Sequence, residues 1–241
     1  MLSDELRRID LLSEISDDCR AVLLDGARFQ NYPRHATIFE EGDKSEFLHI
    51  LVEGEVELFA RFNEQETTIA VVHPHCTFNL SAAIDYVPCL TSARAPKASR
   101  LLAISAAAVR RAFDQDKAFA RAVARELSRG FRDVMVQLKG QKLLTCTERL
   151  ADWLLCTDAQ YGGSGRFTLP FDKRILASHL GMTPENLSRS LKFLSRHGAQ
   201  VQGRDVVLND PAALAAVAHI AAPPLRGPDA AARVNRVRAT G

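Results

Sequence analysis

The order of apolar and polar positions divides the chain into a helical start, a run of short strands, a long helix and a second helical region. Residues 4–26 predict two short helices. One lies around residues 6–12; the other is opened by Ser16-Asp17-Asp18 as a cap and turned inward by Val22, Leu23 and Leu24. From Arg28 the period changes. Tyr32, Ala36 and Ile38 share one parity and Phe29 and Phe39 the other, as the two faces of a strand do. Residues 47–62, FLHILVEGEVELFARF, predict two antiparallel strands about Gly54, and 67–73 and 99–104 predict others. Short strands this closely spaced, with glycine turns, predict a small β-barrel or jelly roll.

After Ser105 the helical period returns, in a short helix over 106–113 and a long one over 117–142. Within the long helix Ala120, Ala124, Leu127, Phe131, Val134 and Leu138 recur at alternating four and three, an a/d seam, while Arg121, Glu126 and Arg132 fall off it. Leu127, Phe131, Val134 and Leu138 are therefore the expected contact of a homodimer; the alternative is a helix packed on its own domain. A further amphipathic helix, 146–160, turns Leu150, Trp153 and Leu154 inward. A YGGSG loop and a strand over 166–171 follow.

The stretch 172–198, DKRILASHLGMTPENLSRSLKFLSRHG, has the form of a helix-turn-helix. Ile175, Leu176, Ala177 and Leu180 suit a short amphipathic helix. Gly181 tolerates the positive φ of a tight turn, Thr183 is a good N-cap, and Pro184 fits the first helical position. Leu187, Leu191 and Leu194 then face inward, which brings Glu185, Ser188, Arg189 and Lys192 together outside. Arginine can bond guanine O6 and N7 bidentately, a carboxylate can accept from cytosine N4, and serine can serve either role. Glu185, Ser188 and Arg189 are thus the candidate base-reading residues, with Lys173, Arg174, Thr183, Asn186 and Lys192 as candidates for the backbone and flanks. The plainer alternative for Glu185 and Arg189 is an i,i+4 surface ion pair. Residues 201–208 predict a hairpin, giving a winged helix, and Asp210 caps a last helix to residue 220.

The order Glu185-x-x-Ser188-Arg189, opening a helix after L-G-M-T-P, resembles the recognition helix of the CRP/FNR superfamily of bacterial transcription regulators. It is most similar to the branch of FNR and its nitrogen-oxide-sensing relatives; Pro184 stands where the cAMP-binding branch has an extra DNA-contacting arginine. The resemblance spans about residues 11–220. It implies a dimer that binds palindromes with TTGAT half-sites and has RNA polymerase as a further partner, with activation and repression both open. Upstream, I-F-x-E-G-D followed by L-V-E-G-E-V resembles the cyclic-nucleotide-binding type of sensor domain. The implied organisation is α+β: a sensor jelly roll over 1–115, a dimerisation helix over 116–143, a winged helix-turn-helix over 144–220, and a basic tail over 221–241.

The pocket that this resemblance implies departs from the nucleotide-binding pattern. Those members carry a Gly-Glu pair shortly after a Phe, whose Glu holds the ribose, and an Arg-Ser pair whose Arg neutralises the phosphate. Here Phe78 is followed by Asn79, Leu80 and Ser81, and Cys89 and Leu90 stand where Arg-Ser would fall. Burying a phosphate without a paired cation is costly, so cAMP and cGMP are not expected to bind. Phe78, Ser81, Cys89 and Leu90 are the expected lining of some other effector's pocket. In the haem-using relatives a ligand set is implied, and His73, His75 and Cys76 could supply one; the other reading is a polar turn between strands. His49 reads as a packed barrel histidine.

Composition narrows the remaining choices. The five cysteines are odd in number and widely spaced, which argues against both a disulfide framework and a four-thiolate iron–sulfur cluster. Neither a membrane-spanning apolar run nor a secretory leader is apparent, so a cytoplasmic protein is expected. The net charge of +2 divides into +4 from Leu144 onward and −2 before it, a balance that fits a DNA-binding C-terminal part. No nucleophile–base set, phosphate loop or metal-spaced ligand set points to an enzyme. The rival reading is a cyclic-nucleotide module without DNA-binding activity.

Overall fold

The computed structural model describes residues 9–13 and 15–218. They belong to two compact units divided between Phe131 and Arg132. The beginning of the first expected helix, the end of the last one and the basic stretch 221–241 lie outside the described residues.

In the first unit, helices α1 (Asp10–Ser13) and α2 (Asp17–Leu24) come first, and the Ser16 hydroxyl caps α2 by accepting from the Cys19 N–H at 3.1 Å. Then come β1 (Arg28–Tyr32), β2 (Thr37–Phe39), β3 (Phe47–Glu53), β4 (Val56–Phe62), β5 (Gln65–Val72) and β6 (Thr77–Phe78). A short helix α3 (Leu80–Asp85) precedes β7 (Ser92–Arg94) and β8 (Ser99–Ser105), and helices α4 (Ala106–Gln115) and α5 (Lys117–Leu143) follow, the division between the units falling within α5. The strands form two antiparallel four-stranded sheets, β1-β8-β3-β6 and β2-β7-β4-β5, the jelly roll that the short strands predict.

Strand alternation gives the first sheet two buried faces. Leu48 pairs with Ile104 and Ile50 with Leu102, and these four face a core shared with Leu12, Leu23, Val109 and Phe119 of the helices. Leu51 and Leu101, also paired, face the inside of the roll with Val56, Val72, Phe78 and Ala93. A one-residue slip of β3 would exchange the two sets, so both cores fix its register. The β3–β4 turn requires glycine. Gly54 has φ +98°, and a Cβ there would lie 2.6 Å from Ser99 Cα and 2.7 Å from the Ala98 oxygen.

Phe39 does not keep the parity expected of it. Phe29 packs on the helical core, whereas Phe39 joins Tyr32 and Ile38 inside the roll. The pairing of β2 with β7 shifts register between Thr37 and Phe39, and such a shift moves a side chain to the other face.

Helix α5 has two working faces. Phe119, Ala122 and Val123 are buried in the core of the first unit, and Arg129 pairs with Asp10 at 3.2 Å. At 100° per residue the expected seam lies about a third of a turn from that face. Its large side chains stay exposed in the single chain: Leu127 by 40 %, Phe131 by 67 %, Val134 by 61 % and Leu138 by 42 %. Packing in the first unit therefore accounts for the stripe around Phe119 and Val123, and the seam is left exposed in the single chain.

The second unit contains α6 (Cys146–Gln160), β9 (Arg166–Thr168), α7 (Lys173–His179), α8 (Pro184–Leu194), β10 (Ala199–Gln202), β11 (Asp205–Leu208) and α9 (Pro211–Val217). A capping box starts α6: Thr145 Oγ1 accepts from the Glu148 N–H at 3.3 Å and the Glu148 carboxylate accepts from the Thr145 N–H at 2.6 Å. Leu150, Leu154, Leu169, Leu176 and Leu194 are fully buried between these helices and the three-stranded sheet β10-β11-β9.

Candidate nucleic-acid interface and sensor cleft

The two helices α7 and α8 meet at a turn that backbone and side chain fix together. Gly181 takes φ +61°, its N–H donating to Ser178 O at 2.9 Å, and the Met182 N–H donates to Ala177 O at 2.9 Å. The Arg149 guanidinium, reaching from α6, donates to Leu180 O at 3.0 Å, Gly181 O at 3.3 Å and Leu144 O at 2.6 Å. Thr183 Oγ1 then caps α8 by accepting from the Asn186 N–H at 3.2 Å. Inside, Leu187 and Leu194 are buried, and the hydroxyl of buried Ser190 lies 3.0 Å from that of Thr147 on α6. Neither Arg149 nor Ser190 stands out in the sequence: each reads as one more polar residue on an amphipathic helix.

Burying that face of α8 turns the other outward. Glu185, Ser188, Arg189 and Lys192 are all exposed on it, with Thr183 at its start, Asn186 half-buried beside them, and Lys173 and Arg174 exposed at the beginning of α7. The Glu185 carboxylate accepts from its own backbone N–H and from the Thr183 hydroxyl, and with Arg189 nearby it is held below the usual carboxylate range. At neutral pH it is thus an ionised acceptor beside a permanent fork of donors, the pair of functions that base edges can recognise. The wing turn carries Arg204, whose guanidinium donates back to Leu169 O at 2.8 Å and 3.1 Å.

In the first unit a cleft of about 380 Å³ opens among β1, β2, β3 and the turn that joins β2 to β3; Tyr32, Phe39, Ser45, Phe47, His49, Asn79 and Cys89 are among its walls. Of the four residues expected there, Cys89 lines the cleft, and Phe78 backs it with its ring stacked on His49 at 5.3 Å. The other two do not. Leu80, Ala82 and Ala83 bury one face of α3, which turns Ser81 to solvent, and the chain that buries Cys89 bends at Leu90 and leaves it 80 % exposed. His73, His75 and Cys76 occupy the turn after β5, where the His75 N–H donates to Leu51 O at 2.7 Å; none of them lines the cleft. Burial holds the His73 imidazole below its ordinary pKa, with Lys97 adding to the effect.

The two units correspond to two known families. Residues 29–116 match the cyclic nucleotide-binding domain and residues 148–217 match the Crp-like helix-turn-helix domain. The chain belongs to the CRP/FNR family. Its similarity to a CRP-like cAMP-activated global transcriptional regulator of Mycobacterium tuberculosis is 23% identity over 220 residues, 89% of this chain and 98% of that protein. Its fold is that of FixK2 from Bradyrhizobium japonicum, at a TM-score of 0.72 and 22% identity over 81% of this chain and 99% of that one. CooA from Carboxydothermus hydrogenoformans is also similar, at a TM-score of 0.70 and 18% identity over 85% and 97% of the two chains. A CRP/FNR protein is a transcription regulator with a helix-turn-helix for DNA. Among the described residues no helix is long and apolar enough to cross a membrane.

Proposed function

We propose that this CRP/FNR regulator binds palindromic DNA of the TTGAT type as a homodimer in the cytoplasm, and engages RNA polymerase there. The observation that carries the reading is the outer face of α8, where Glu185, Ser188 and Arg189 stand exposed within one turn of each other above a buried apolar face. The resemblance to the E-x-x-S-R motif supplies the half-site. The exposed apolar stripe of α5 supports the dimer, because a palindrome is read by two copies whose recognition helices lie about 34 Å apart. Binding of such a palindrome by the full chain, with affinity lost when one half-site is scrambled, is the test.

The signal in this reading is a small molecule, gas or redox event, and not cAMP. No carboxylate replaces the family's ribose-binding Glu at Ser81, and buried Cys89 stands at the phosphate-binding arginine. Arg94, the next arginine along the chain, is committed elsewhere: it pairs with Glu57 at 2.8 Å and with Glu66 at 2.6 Å. Ser81, Cys89 and the paired Arg94 thus offer a phosphate anion no counter-charge at the positions where the family holds it. Calorimetry with cAMP should give no heat of binding; micromolar affinity would overturn this part of the proposal. The turn holding His73, His75 and Cys76 gives no support to haem, since its donors do not converge on the cleft, and no haem enters the proposal.

A further inference from the structure

We propose that the cleft around His49 is a binding site for a small, uncharged, planar heteroaromatic molecule that presents a hydrogen-bond donor and an acceptor along one edge. The proposal rests on the reading of the N-terminal unit as a sensor. The cleft's volume, about 380 Å³, is within the range of small-ligand pockets. Its walls are flat. Tyr32, Phe39 and Phe47 are half-buried, one face of Phe47 carrying the Arg28 guanidinium, and the His49 ring lies tilted at 5.6 Å from that of Phe39 and 6.3 Å from that of Phe47. Aromatic walls of this kind favour a flat ring over a flexible chain.

The polar requirement comes from His49. Its side chain is 94 % buried (6 % exposed), and Nδ1 has no hydrogen-bond partner among the described residues. A buried polar atom left unpaired is rare and costly, and the edge of a ligand in the cleft would satisfy it. Burial also pushes the imidazole pKa down to about 4. At neutral pH the ring is therefore uncharged, with one nitrogen donating and one accepting. The charges at the rim, Asp43 and Glu46 against Lys44 and the Arg28 guanidinium that lies over the Phe47 ring at 4.8 Å, balance, so no excess of cations draws an anion in.

Occupancy would also reach the rest of the domain. Asn79 Nδ2 donates to Ser45 Oγ at 2.9 Å and lies 3.3 Å from Cys89 Sγ, while the Cys89 N–H donates to Asp43 O at 2.9 Å. These bonds tie the β2–β3 turn to both ends of the 79–89 segment. That segment occupies the place of the family's phosphate-binding cassette. A ligand edge competing for Asn79 or Ser45 would shift it.

The test is an NMR titration of the full-length chain, without DNA, with benzimidazole and with indene. Benzimidazole carries a donor and an acceptor and so serves either tautomer of His49; indene has the same shape without the nitrogens. Benzimidazole should saturate the chain, shift the His49 ring signals, and bind about tenfold or more tightly than indene. In His49→Phe the preference should vanish. Gln30→Trp, at the half-buried mouth, should block both probes in a folded chain even if His49→Phe fails to fold. Absence of saturation up to about 5 mM, at the weak end of fragment binding, would overturn the site. So would a preference that survives in His49→Phe, or binding unchanged in folded Gln30→Trp. A mobility shift with the palindrome is read separately. A chain that binds the operator but not benzimidazole loses only this site, and one that binds benzimidazole but no operator loses the regulator.

Discussion

Replacing Arg149 with Ala should loosen the helix-turn-helix without touching any residue that faces DNA. The guanidinium serves three carbonyls at once, those of Leu144, Leu180 and Gly181. Leu144 follows the end of α5 and Leu180 ends α7, so the cation also sits where two helix dipoles are negative. A hydrogen bond to a charged group contributes about 1.5–3 kcal/mol, but water can replace the arginine at exposed Gly181. Counting the Leu144 and Leu180 carbonyls alone gives a loss of about 3 kcal/mol for Arg149→Ala. Arg149→Lys, with a point charge and no fork, should recover about half of it. Trp153 is the sole tryptophan, buried on α6 with its ring 5.8 Å from that of Phe171. Its fluorescence reports unfolding of this unit. With a urea slope of about 1–3 kcal/mol per molar, the Trp153 midpoint should fall by about 1–3 M, and palindrome affinity should fall with it. A midpoint shift below about 0.3 M would refute the anchoring role.

Two further outcomes follow from the same structure. Phe131→Glu with Val134→Glu would bury like charges if α5 pairs with a second copy, at several kcal/mol per ion, so the double variant should be a folded monomer by light scattering and circular dichroism; a folded dimer would place the interface elsewhere. His49 gives a pH dependence. Its folded pKa of about 4 lies below the unfolded value near 6.5, so the unfolded chain takes up the proton first. The stability this group confers is complete above about pH 6.5 and falls as the pH drops toward 4, by about 2 kcal/mol between pH 7 and pH 5. Urea unfolding followed by circular dichroism should show that loss in the parent chain and not in His49→Phe, and parallel losses in both would assign it to other groups.

What the sequence made legible was whatever short-range pattern determines. The α8 face followed from Leu187 and Leu194 at helical spacing, and the β3–β4 hairpin from the apolar run around Gly54. The seam of α5 was visible as a repeat, though not the second stripe around Phe119 and Val123 that packs on its own unit. Long-range contacts decided the rest. A bulge between strands 55 residues apart in sequence moved Phe39 to the inside of the roll. Helix α3 turned Ser81 out, where counting along the chain had placed it in the pocket. Arg149 reaches the turn from a helix that precedes it by some thirty residues, and nothing local marks it. The burial of His49 followed from its place in an apolar strand. Its neighbours Tyr32, Phe39 and Cys89 come together only in the folded roll.

The claim that the outer face of α8 reads bases is tested most directly by exchanging the G·C pair of each TTGAT half-site against Arg189→Ala in a mobility-shift series at fixed salt. The parent chain should prefer the intact palindrome, losing about 1–3 kcal/mol per half-site when the pair is changed. Arg189→Ala should lose a similar amount on the intact palindrome and become indifferent to the identity of that pair, while still shifting DNA through its remaining contacts. A variant that keeps the parent's affinity and its preference at that base pair would contradict the account.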